Sequence, residues 1–237
     1  MNRLTLLGAG GTAGGGAVDT TPILLKSAVE GNFSGTNAAP RVTTIADAPA
    51  GSVIVVAVGI FGGTAFTGFS DGVNSYTADP TGPITPLFNQ TLQTFSTGPI
   101  GAMLPAGTSI GPNTDAAANP TPYMIVLCFP GATAKDPEAG TLDTGAGTAT
   151  AVTTVPSNAN QPQYAAFFVY STASVDTLTT PYTDTGGSGG QSGGFGWRGW
   201  TKKITTTGST TVLTATYPGG GGGITWVAAQ RTISVSS

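Results

Sequence analysis

Runs of apolar residues four to nine long, separated by glycine, proline and threonine, set the rhythm of this chain. VIVVAVGIF at 53–61 is a continuous, largely β-branched run, the pattern of a strand covered on both faces. YMIVLCF (123–129) and YAAFFVY (164–170) repeat that character, and RTISVSS (231–237) alternates, with Ile233 and Val235 on one face. Further strands are expected at 148–155, 200–206, 209–217 and 224–229. Asp71-Gly72 reads as a hairpin turn between TAFTGF and SYTAD. Prolines 80, 83, 86, 99, 105, 112, 120 and 122 punctuate a long central connection and forbid long helices there. No window carries the period of an amphipathic helix and no repeat of fixed length is visible, which disfavours a propeller or solenoid. The pattern predicts an all-β protein, a jelly-roll-like β-sandwich over residues 39–237.

Residues 1–38 differ. GAGGTAGGGAVDTTP sustains neither helix nor stable strand, because each glycine costs backbone entropy. The expectation is an extended Gly-rich N-terminal arm that anchors the chain through two short apolar patches, Leu4, Leu6 and Leu7 in the first and Ile23, Leu24 and Leu25 in the second.

Composition narrows the function. Only 8% of the 237 residues are charged and the net charge is −3, so electrostatic repulsion between copies is weak and an assembled state is expected. After Arg41 the next basic residues are Lys135 and Arg198, which leaves most of the body without a cation to hold a phosphate and argues against a nucleic-acid partner. The single cysteine, Cys128, sits in an apolar run and is expected to be a buried thiol. LTLL is too short for the apolar core of a secretory leader, and no run reaches transmembrane length; synthesis in a cytoplasm and no membrane partner are expected.

The absence of histidine removes Ser-His-Asp and Cys-His catalysis and histidine-based metal sites. Carboxylates remain, at Asp71 and Asp79, Asp136 and Glu138, and Asp176 and Asp184, but an aspartate in a turn usually serves its own backbone, and no enzyme is expected. Gly8, Gly10 and Ala13 match a dinucleotide-binding spacing without the strand and helix that make it work. No cofactor is expected; the softer alternative is Ca²⁺ held by Asp71, Asn74 and Asp79. One constellation stands apart. GGFGWRGWTKK brings Phe195, Trp197, Arg198 and Trp200 close in sequence, with Tyr182 upstream, after a glycine tract. It reads either as a strand re-entering the sheet or as an aromatic, cationic site for a glycan or partner protein.

AGSVIVVAV, then FTGFSDGVNSYT, a long Gly/Thr/Pro middle and TTVLTATYPGGGGGITWVAAQ resemble a β-sandwich layout of tailed-bacteriophage structural proteins, with the turn glycine displaced from its usual place before Asn74. The resemblance implies a virion component assembled in the bacterial cytoplasm. It would be a capsid decoration, a head or tail accessory or a fibre, docking on other virion proteins through its arm and forming a homo-oligomer. The alternative is a receptor-binding module taking host glycans on Trp197, Arg198, Trp200 and Tyr182.

Overall fold

The structure is a computed structural model, and it describes residues 19–28, 34–36, 38–61, 66–78, 90–115, 121–135, 142–146, 149–154, 163–171, 177–178, 183–184, 196–204, 211–216 and 225–235. No helix occurs among them, and every strand pairing is antiparallel. The fold is all-β.

The central layer is a five-stranded sheet in the order β1 (Ile23–Ala28), β9 (Thr121–Phe129), β4 (Val53–Phe61), β7 (Gln90–Ser96) and β6 (Thr77–Ala78). Its two middle strands are the apolar runs that the sequence singles out, and alternation along them feeds two separate cores. Val53, Val55, Ala57, Tyr123, Ile125, Leu127 and Phe129 face one side. Ile54, Val56, Val58, Ile60, Met124, Val126 and Cys128 face the other. An antiparallel sheet usually keeps one wet face; along β4 and β9 both faces are dry, which explains why β4 reads as unbroken hydrophobicity.

On the second face lies a four-stranded sheet in the order β2 (Ser34–Thr36), β3 (Ala39–Thr43), β8 (Ser109–Thr114) and β5 (Phe66–Ser70), which contributes Val42, Ile110 and Phe69. On the first face lies a sheet in the order β10 (Ala132–Lys135), β18 (Thr225–Val235), β13 (Gln163–Ser171), β16 (Gly196–Ile204) and β15 (Thr183–Asp184), with β11 (Leu142–Ala146) also on β18. It supplies Tyr164, Phe168, Ile233 and Val235. A smaller sheet joins β12 (Ala149–Thr154), β17 (Thr211–Thr216) and β14 (Thr177–Leu178). Each fully buried large apolar side chain in these cores contributes about 1.5–3 kcal/mol.

Several local expectations change. Residues 224–229 and 231–237 were expected as two strands, but Thr225–Val235 is one strand, long enough to hold β11 with one half and β10 with the other. The proline-punctuated stretch contains β7 and β8. Proline fits in β8 because the ladder to β3 stops at Val42↔Ile110. Beyond it the Arg41 guanidinium, not a strand, meets the Pro112 carbonyl at 2.6 Å, so the missing N–H empties no ladder position. Asp71-Gly72 does not close a hairpin: β5 pairs with β8 and β6 with β7, so the turn crosses between layers.

Of the expected arm, residues 1–18 lie outside the described part, while 23–28 form β1 on β9 and 34–36 pair with β3. Leu25 is fully buried in the second core, with Ile23 packed against the same core and Leu24 against the first. A bulge between Leu24 and Lys26 shifts the register, so that Leu25 and Ala28, three apart, both face the second core.

Candidate functional site

Antiparallel connectivity brings three loops to one end of the central sheet. Loop 44–52 runs from the end of β3 to the start of β4, turn 71–76 from β5 to β6, and loop 97–108 from β7 to β8. The register fixes their common location: Val53 opposes Phe129, Val55 opposes Ser96, Thr77 opposes Ser96, and Thr43 opposes Ser109. Residues 19–22 lead into β1 at this same end, because Ile23 opposes Cys128.

Loops 44–52 and 97–108 are zipped together by their backbones. Ala48 and Leu104 exchange bonds of 2.8 and 2.9 Å, Gly51 N–H donates to the Ile100 carbonyl at 2.8 Å, and Ile100 N–H donates to the Ser52 carbonyl at 2.9 Å. Thr44 N–H donates to the Thr108 carbonyl, and Gly107 N–H to the Thr44 carbonyl, both at 3.0 Å. The Asp47 carboxylate accepts from Ala106 N–H at 2.6 Å, and Ile45 N–H donates to the Leu25 carbonyl at 2.8 Å, tying the pair to β1. Buried Ala48, Ile100 and Leu104 anchor these loops in the second core.

The third loop is organised by one carboxylate. Asp71 is 5% exposed and accepts from Val73 N–H at 2.8 Å, Asn74 N–H at 2.7 Å, the Asn74 side-chain amide at 2.7 Å and the Tyr76 hydroxyl at 2.9 Å. Burial raises its pKa, but these donors outweigh burial and hold the carboxyl below its ordinary value. Burial first, and then the Asp71 charge, push the Tyr76 phenol above its own. The Tyr76 ring packs edge-on against Phe69, with centroids 4.7 Å apart, so the turn is pinned to the core as well as to itself. Gly72, at φ +79°, supplies the left-handed backbone that the bend needs.

On these rigid loops sit the three large apolar side chains that are exposed among the described residues: Ile45 at 61%, Val73 at 76% and Met103 at 56%. One lies in each loop. Sequence reasoning missed them, since each is a lone apolar residue in a turn-rich segment and only the strand pairing brings them to one end.

The residues expected to bind are placed as follows. In β16 Trp197 opposes Tyr170, Arg198 opposes Val169, and Trp200 lies between Phe167 and Asp184. Strand alternation assigns Trp197 to the sheet face shared with Tyr164, Phe168 and Ile233, and Arg198 and Trp200 to the other face. The strand thus divides what the sequence groups. Tyr182 and Phe195 lie outside the described residues, as do Leu4, Leu6 and Leu7.

For calcium, Asp79 is likewise outside, and Asp71 and Asn74 meet as acceptor and donor rather than as two oxygen ligands. Asp136, Glu138 and Asp176 are also outside, and among the described residues no group of three or more acidic or cysteine side chains is placed to hold a metal. Cys128 is fully buried, and burial pushes its thiol up to about 11, with the Ser52 hydroxyl acting in the opposite sense. Comparison with known protein families, with curated proteins and with solved structures finds no match to this chain.

Proposed function

We propose that this chain is a structural protein of a multi-subunit particle, a virion component of the tailed-phage kind that its sequence layout resembles, and that it docks on neighbouring subunits through the loop end of its central sheet. The observation that carries this reading is the set Ile45, Val73 and Met103, one on each of three loops at a single end, two zipped together by backbone bonds and the third held by the Asp71 carboxylate. Loops whose backbones are already ordered lose little backbone entropy when covered, which suits a docking surface. With 8% of its residues charged, the chain gains little from electrostatic steering and little from repulsion, so apolar covering is the available source of affinity.

The finer fold belongs to the same proposal. The order β1-β9-β4-β7 in one sheet and β3-β8-β5 in the facing one supports reading the fold as a jelly roll lacking one strand of the second sheet, a scaffold common in capsid proteins. Such a scaffold puts alternate loops at one end, where a neighbour can meet several at once.

Sedimentation velocity across a dilution series tests the reading. The full chain is expected to associate, and the triple variant Ile45→Ser, Val73→Ser, Met103→Ser to remain a single chain with an unchanged circular dichroism spectrum. Identical sedimentation of the two, whether as single chains or as oligomers, contradicts docking through this end.

A further inference from the structure

Resting on the reading of the loop end as a docking surface, we infer that Met103 is an oxidative modification site that gates assembly. A hydroperoxide converts its thioether to the sulfoxide in the free subunit, and the oxidised chain no longer docks through that end.

The sequence holds three methionines and one cysteine. Among the described residues, Met124 is 1% exposed and Cys128 is fully buried, both in the second core, whereas Met103 is 56% exposed. A peroxide arriving from water therefore meets one open thioether, while the other two described sulfur atoms are sealed. Cys128 is shielded twice, because burial also keeps its thiol protonated and the thiolate is the form that a peroxide oxidises.

Position turns a common lesion into a gate. Met103 belongs to the exposed apolar set at the loop end, with Ile45 and Val73. The next residue, Leu104, is buried and exchanges backbone bonds of 2.8 and 2.9 Å with Ala48. Three residues on from Met103, Ala106 N–H donates to the Asp47 carboxylate at 2.6 Å. None of these bonds uses the Met103 side chain, so the loop keeps its course whichever state the sulfur is in. Oxidation changes the surface and leaves the fold alone.

The step balances with the peroxide as the one reagent. A sulfur lone pair attacks a peroxide oxygen, the S–O bond forms as the O–O bond breaks, sulfur gives up two electrons, and hydrogen peroxide is reduced to water. The product carries a polar oxygen that accepts hydrogen bonds from water. A neighbour that covers the loop end strips that water away, and neither Ile45 nor Val73 has a side-chain donor to replace it. Docking in turn covers Met103, so an assembled subunit is protected and a free one is not. The gate keeps oxidised subunits out of the assembly.

The test treats the dissociated full chain with dilute hydrogen peroxide and locates sulfoxide by peptide mass spectrometry. Association is followed by sedimentation velocity before and after treatment, with circular dichroism as the check on folding, and Met103→Leu is carried through the same comparison against its own untreated state. Met103 is expected to oxidise at least about ten-fold faster than Met124. Association of the full chain should weaken about ten-fold or more, with an unchanged spectrum, and recover when methionine sulfoxide reductases reduce the product. Association of Met103→Leu, whatever its starting strength, should be the same on both sides of the treatment. Equal oxidation of Met103 and Met124 overturns the proposal, as does association that survives complete oxidation of Met103, or an equal loss in Met103→Leu. An untreated chain that stays single at every concentration overturns the docking reading, and the gate with it; an untreated chain that associates and is indifferent to oxidation overturns the gate alone.

Discussion

Gly111→Ala is expected to lower stability by about 3 kcal/mol, at the upper end of what overpacking costs. For a chain of this size the melting temperature should fall by roughly 6–12 °C. Gly111 lies where β8 crosses closest to β3, and a Cβ there would stand 2.0 Å from the Pro40 carbonyl oxygen and 3.1 Å from its carbon. These are backbone atoms, so no rotamer change relieves the overlap and the two strands must separate. Separation also strains the clamp beside it, in which Arg41 donates to Pro112 at 2.6 Å and to the Asn113 side chain at 2.5 Å while Thr114 N–H donates to the Ala38 carbonyl at 2.9 Å. Gly98→Ala is the control, because nothing lies within 4 Å of its added methyl. A thermal melt that moves Gly111→Ala no further than Gly98→Ala would show that β3 and β8 do not approach as described.

Asp71→Asn is expected to cost about 2–3 kcal/mol at neutral pH. The carboxylate accepts four bonds from neutral donors, two at each oxygen, and the amide keeps one acceptor oxygen while replacing the other with an NH2 donor, which halves the acceptor capacity open to the surrounding N–H groups. The pH dependence has a definite sign. Asp71 has its folded pKa below the ordinary 3.8, so its contribution is present above that value and is lost as pH falls below 3.8 through the folded pKa. The stability gap between wild type and Asp71→Asn should therefore be widest near neutrality and close as the solution is acidified below pH 3.8, measured by urea unfolding at several pH values. A gap of constant size would mean that the charge of Asp71 plays no part in holding the turn.

The strands most legible in the sequence are those whose chemistry is extreme. β4 and β9 announce themselves as apolar runs because both of their faces in the central sheet are dry. β7 was invisible for the opposite reason: QTLQTFS reads as a polar linker, yet Thr91 through Ser96 are buried, with Leu92 in one core and Phe95 in the other. Burial of that strand is imposed by its neighbours, which a local pattern cannot register. Asp71-Gly72 was recognised as a turn, but its partners were not, since a turn signal is local and the choice of sheet is not. The same limit hid the candidate site. Ile45, Val73 and Met103 are far apart in sequence, and nothing short of the strand order shows that they share an end. Conversely, Trp197, Arg198 and Trp200 were conspicuous because they are contiguous, and strand alternation then divides them between two faces.

The central claim is that subunits meet at the three-loop end of the middle sheet. Hydroxyl-radical footprinting of the assembled against the dissociated protein tests it most directly. Docking at that end predicts protection concentrated on Ile45, Val73 and Met103, whereas protection confined to β16 around Trp200, or none at the three loops, would contradict it.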